Sequence, residues 1–118
     1  MNVTMPTLTE NQAAVAALDR RQHGRVAIVL ELKAWTLAQP TRRFSGNTVN
    51  VSIDGGLVWL PGLAPRALFL ELSLAVPAGS IHTSAEIVWR RDPLVGVRFQ
   101  RMSADDRARF ADFLRRLH

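Results

Sequence analysis

The sequence predicts a mainly β protein, a small six-stranded antiparallel β-barrel with a C-terminal α-helix, and three observations carry that expectation. Short stretches in which apolar and polar residues alternate with period two recur from Val26 to Phe99, the mark of half-buried strands. Turn signals at Asp54-Gly55-Gly56, Pro77-Ala78-Gly79 and Asp92-Pro93 separate them closely, which suits hairpins better than alternating β and α units. From Ser103 to Leu117 the period becomes helical. The 118 residues, 47% of them hydrophobic, suffice for one ordinary core and one domain.

Residues 1–19 are low in charge and rich in small residues. Thr9-Glu10-Asn11-Gln12 offers a capping box ahead of Ala13-Ala14-Val15-Ala16-Ala17-Leu18, a local preference for a short N-terminal helix. So few residues rarely hold a helix without packing, so the expectation is a mobile arm that orders against the barrel or a partner. The barrel domain is expected over residues 20–118. Val26, Ile28, Leu30 and Leu32 share one face of a first strand, opposite Ala27, Val29, Glu31 and Lys33, with Trp35 as its expected end. Pro40 to Gly46 reads as a loop whose Arg42-Arg43 pair is solvated.

Val49, Val51 and Ile53 alternate with Asn50 and Ser52, so a strand here sends the apolar three inward and presents Asn50 and Ser52 side by side outward. Asp54-Gly55-Gly56 then turns the chain into Leu57-Val58-Trp59-Leu60, with glycine where a positive φ is expected. Leu68, Leu70, Leu72, Leu74 and Val76 form the next stripe, Ile81 to Arg90 the return strand, and Val95, Val97 and Phe99 the last. Ser103 caps a helix over 103–117 with Asp105 and Asp106 at its positive end and Arg115 and Arg116 at its negative end. Its apolar face, Phe110, Phe113, Leu114 and Leu117, is expected to close one mouth of the barrel.

The net charge is +5, and 14 of the 15 cations are arginine, Lys33 being the exception. Arginine's planar fork suits phosphate or the Hoogsteen edge of guanine. Arg66, Arg98, Arg101, Arg107, Arg109, Arg115 and Arg116 read as solvated surface. The most apolar stretch, Ala67 to Val76, is interrupted by Glu71 and is far short of the roughly 20 residues of a membrane helix. With no secretory signal at Met1 to Pro6 and no cysteine, the expectation is a soluble cytoplasmic protein. Nucleophile elbows, Walker loops and G-x-G-x-x-G are absent, and His23, His82 and His118 lack ligand spacing, so neither an enzyme nor a metal site is expected.

Two clusters point to chemistry. Arg20-Arg21-Gln22-His23-Gly24-Arg25 offers three guanidinium groups on a segment that Gly24 keeps from being helical, with Arg21 and Arg25 up to roughly 13 Å apart along an extended chain. That reach suits a dinucleotide, one fork for phosphate and one for the O6/N7 edge of guanine. Asn50 and Ser52 add short polar groups, an amide oxygen that accepts from guanine's Watson–Crick edge without repelling phosphates, and Gly55 lets backbone approach a base. Each cluster alone is common in β proteins. In this order, with Gly96-Val97-Arg98-Phe99 and the closing helix, they resemble the PilZ domain family, whose signature is R-x-x-x-R followed by [D/N]-x-S-x-x-G.

The resemblance implies a receptor for the bacterial second messenger cyclic di-GMP that changes conformation on binding and signals to a partner protein. By the same resemblance Arg20, Arg21 and Arg25 grip phosphates and guanine, Asn50 and Ser52 read the base beside Gly55, and the ligand binds singly or as a stacked pair. No cofactor is implied besides that ligand. Trp89 carries two readings: in some relatives a residue on this strand stacks on guanine, whereas parity with Ala85 and Ile87 points it into the core. The alternative function is a small basic nucleic-acid-binding barrel of OB or Sm type, disfavoured by only eight aromatic residues, several at core parity. A third is a protein-binding scaffold with the ligand site unused.

Overall fold

The computed structural model describes residues 25–117. The N-terminal arm, its capping box, Arg20 and Arg21 lie outside the described residues. Six strands follow in order, β1 (Glu31–Thr36), β2 (Gln39–Ser52), β3 (Gly55–Trp59), β4 (Phe69–Val76), β5 (Gly79–Arg91) and β6 (Leu94–Met102), and then helix α1 (Ala104–Arg115). Every neighbouring pair is antiparallel and the sheet closes as β1-β2-β3-β6-β5-β4.

The inward stripes expected for β1 and β4 fill the barrel: Leu32, Ala34, Leu70, Leu72 and Leu74 are at most 2% exposed. Leu30 belongs to the same core, with Val26 and Ile28 packed against it. Phe110 and Leu114 of α1 enter that core too, so the helix closes the barrel as its apolar face predicts. Ser103 Oγ accepts from Asp106 N–H at 3.1 Å as the N-cap.

Two boundaries differ from the sequence reading. Residues 26–30 do not form a regular strand, because buried Thr48 takes up their backbone. Its Oγ1 accepts from Leu30 N–H at 2.8 Å and donates to Ile28 C=O at 2.6 Å. Beyond that interruption Val26 and Val51 exchange two backbone bonds as an isolated bridge. The expected loop 40–46 is instead the first half of the 14-residue β2, with Phe44, Ser45 and Gly46 paired to Ala34, Lys33 and Leu32. Pairing with β1 overrides weak strand propensity there, and Pro40 stands near the strand start where it is tolerated. Arg42 and Arg43 are not simply solvated: their guanidiniums lie over the Phe44 and Trp35 rings, at 5.2 and 3.9 Å.

At the end of the barrel away from α1, the β3–β4 connection carries buried Leu60 and Leu63 into the core. Arg90 pins it, donating to Leu63 C=O and Ala64 C=O at 2.6 Å each while Asp92 holds its Nε at 2.7 Å.

Candidate functional site

Arg25, the one described residue of the arginine cluster, meets the second cluster where the chain enters the barrel. The Val26–Val51 bridge sets Arg25 beside β2, and Arg25 Nη1 donates to Asn50 Oδ1 at 3.4 Å. A bulge positions Asn50: Thr48 pairs with Val58 and Asn50 with Leu57, leaving Val49 as the extra residue. An extra residue shifts the side-chain phase by one, so the strand no longer alternates simply. Thr48 and Val51 face the core, while Val49 joins an outer apolar cluster around Leu57 and Leu94. Asn50, half-buried, takes the Leu57 N–H onto Oδ1 at 3.3 Å.

Asn50 and Ser52 are therefore not equivalent outward groups. Ser52 is 3% exposed, and its hydroxyl accepts from Asp54 N–H at 3.2 Å and contacts Gly55 C=O at 3.5 Å, closing the β2–β3 turn on itself. Among the described residues the glycines with positive φ are Gly62 and Gly79, so Gly55 does not serve the turn in the expected way. Space is the reason instead. A Cβ on Gly55 would stand 2.2 Å from Val97 O and 3.0 Å from Arg98 Cα, because β6 closes in on β3 there.

Trp89 is resolved by a second bulge. Ile87 pairs with Val97 and Trp89 with Gly96, so Val88 is the extra residue and the parity with Ala85 is broken. Trp89 leaves the main core and packs in the outer cluster with Val49 and Trp59 against Leu57 and Leu94. A Cβ on Gly96 would meet the Trp89 Cβ at 3.2 Å, which puts the tryptophan on the same outer face.

Strand register now orders the face. One row runs Asn50, Leu57, Gly96, Trp89 across β2, β3, β6 and β5, and the next runs Ser52, Gly55, Arg98, Glu86. Three interstrand spacings put the two ends of a row roughly 14 Å apart. Arg98 and Glu86 form an ion pair, and Gln100 Nε2 also donates to Glu86 Oε1 at 3.2 Å. Asp54, at the turn, lies 3.8 Å from Arg107 of α1. The sequence reading placed Arg98 and Arg107 on solvated surface and passed over Glu86. Only the bulges and register bring them beside the motif.

The face offers cations, an amide and an aromatic on an apolar bed, a set suited to an anionic, base-bearing ligand. Among the described residues no group of three or more His, Cys, Asp or Glu could hold a metal, and no helix is long and apolar enough to cross a membrane.

Comparison with known proteins agrees with this architecture. The family model of the PilZ domain matches residues 19–116. The fold is similar to the Bacillus subtilis inhibitor of motility, MotI/DgrA, with a TM-score of 0.67 and 23% identity over 82% of this chain and 50% of that one. The chain thus spans half the length of MotI/DgrA. It is also similar to the PilZ domain of CeSA from a cellulose-synthesizing bacterium, with a TM-score of 0.59 and 12% identity over 79% of this chain and 93% of that one. No curated protein matches the chain.

Proposed function

The chain belongs to the PilZ domain family, and from that premise we propose that it is a cytoplasmic bacterial receptor that binds cyclic di-GMP on the β2–β3–β6–β5 face and signals to a partner protein. The observation that supports this most is the Arg25–Asn50 contact, which joins the arginine segment to the [D/N]-x-S-x-x-G strand at one point of the surface.

Each residue has a role set by its surroundings. Arg25, with Arg21 and Arg20 ahead of it, grips phosphate and the guanine O6/N7 edge through bidentate forks. Asn50 Oδ1 already has two donors, Arg25 and Leu57 N–H, which leaves its NH2 group for the acceptors of guanine. That reverses the direction of the hydrogen bond expected from sequence and keeps the same base preference. Ser52 holds the turn, Gly55 keeps the surface low, and Trp89 supplies an aromatic face for a base. Ordering of the arginine segment against β2 is the change a partner reads. MotI/DgrA, similar in fold, is by its name an inhibitor of motility.

Calorimetric titration with cyclic di-GMP, cyclic di-AMP and a single-stranded oligonucleotide tests the reading. Low-micromolar or tighter binding of cyclic di-GMP alone is expected. Binding of the oligonucleotide alone would make the protein a nucleic-acid-binding barrel, and binding of none would make it a scaffold.

A further inference from the structure

We infer that Arg98 is an additional ligand-binding arginine and that Glu86 competes with the ligand for it; this rests on the reading of the β2–β3–β6–β5 face as the cyclic di-GMP site. A ligand that touches Asn50 and Gly55 at one end and Trp89 at the other must cross β6. Val97 is in the core, so the β6 residues that face outward along that crossing are Gly96 and Arg98. Gly96 lies against Trp89, and Arg98 therefore presents the one side chain of β6 between the two ends of the site.

Arg98 rises next to the motif glycine itself. Gly55 pairs with Arg98, and a Cβ there would come within 3.0 Å of Arg98 Cα, so only a glycine leaves the guanidinium an open path over β3 toward Asn50. The side chain is 62% exposed, and its fork suits a phosphate oxygen or the O6/N7 edge of guanine. In this structure Glu86 Oε1 accepts from both Arg98 and Gln100 Nε2. A carboxylate there draws Arg98 toward β5 and adds a negative charge beside the ligand's phosphates, so it opposes binding on both counts. An exposed pair of this kind is worth little by itself, which makes the exchange of one anion for another inexpensive.

The experiment is a calorimetric titration of cyclic di-GMP into wild type, Arg98→Ala, Arg98→Gln, Glu86→Gln and the double variant Arg98→Ala/Glu86→Gln, with thermal melts as a check of folding. Arg98→Ala and Arg98→Gln should bind about 10-fold more weakly and lower the salt dependence, as loss of one charged contact implies. Glu86→Gln should bind about 3-fold to 10-fold more tightly, and that gain should largely vanish in the double variant, because most of it acts through Arg98. Tight wild-type binding that both Arg98 variants retain in full would overturn this inference and leave the proposed function standing. Wild-type protein that does not bind cyclic di-GMP would overturn both.

Discussion

Arg25 Nη1 donates to Asn50 Oδ1 across 25 residues of sequence, and the same oxygen receives the Leu57 N–H, so one amide ties the entering chain to the β2 bulge. The proposed ligand contact and the local order thus share a single side chain.

Arg25→Ala should weaken cyclic di-GMP binding about 10-fold to 100-fold, since a charged hydrogen-bonding partner is worth about 1.5 to 3 kcal/mol. Asn50→Ala should narrow the preference for cyclic di-GMP over cyclic di-AMP, which is expected to be at least about 100-fold in the wild type, because the amide donors that match guanine O6 are gone. Arg66→Ala, in the β3–β4 connection and in neither row of the face, should change neither quantity. Calorimetry with both dinucleotides measures all of this.

Gly55→Ala should destabilise the fold by about 2 kcal/mol, or roughly 10 °C in melting temperature. The new Cβ would meet backbone, Val97 O at 2.2 Å, and backbone of a paired strand cannot step aside as a flexible side chain would. A melt unchanged from wild type would show that β3 and β6 separate easily at this point.

Thr48→Val preserves shape but leaves Leu30 N–H and Ile28 C=O without the hydroxyl that now serves both, at a cost of about 1 to 3 kcal/mol. Because residues 26–30 hold Arg25 beside β2, ligand affinity should fall as well, while Thr48→Ser should recover most of each loss. Urea denaturation and titration of the two variants separate the hydroxyl's contribution from the methyl's.

The Asp106 carboxyl is held below its ordinary value of 3.8, first by the His82 backbone N–H and then by Arg109, whereas its desolvation acts the other way. A depressed carboxyl stabilises the fold above its unfolded pKa, and that contribution is lost as pH falls through the folded value. Asp106→Asn should therefore be less stable than wild type at neutral pH, with the gap closing below about pH 4 as the wild-type carboxyl is protonated. Thermal melts across that range follow it.

The closed barrel, its helix and its core stripes were legible because period two and period 3.6 survive in Leu70-Leu72-Leu74 and in Phe110-Phe113-Leu114. Arg25, Asn50 and Gly55 were legible as a motif, though the reason for Gly55 was not: contact with Val97 depends on which strand lies alongside, and β3 skips to β6. Ser52 shares the face of Asn50 as its parity predicts, but its burial was not legible, because the hydroxyl's bond to Asp54 N–H folds it into the turn. The strand at 40–46 was hidden because Pro40, Arg42, Arg43 and Gly46 carry little strand propensity, and its pairing comes from β1. The place of Arg98 depends on register, which no single segment encodes.

Val49 and Val88 each add one residue to a strand without adding one to its partner. In evolutionary terms these are single-residue insertions that the sheet absorbs without turning over the face that follows. Losing Val88 would leave Ile87 followed directly by Trp89, and losing Val49 would leave Thr48 followed directly by Asn50, plain alternations that keep Trp89 opposite Gly96 and Asn50 opposite Leu57. A descendant one codon shorter at either bulge would keep both the signature and the face, whereas one codon lost from a regularly paired stretch such as Ala85–Ile87 would turn Trp89 over and keep the signature without the face.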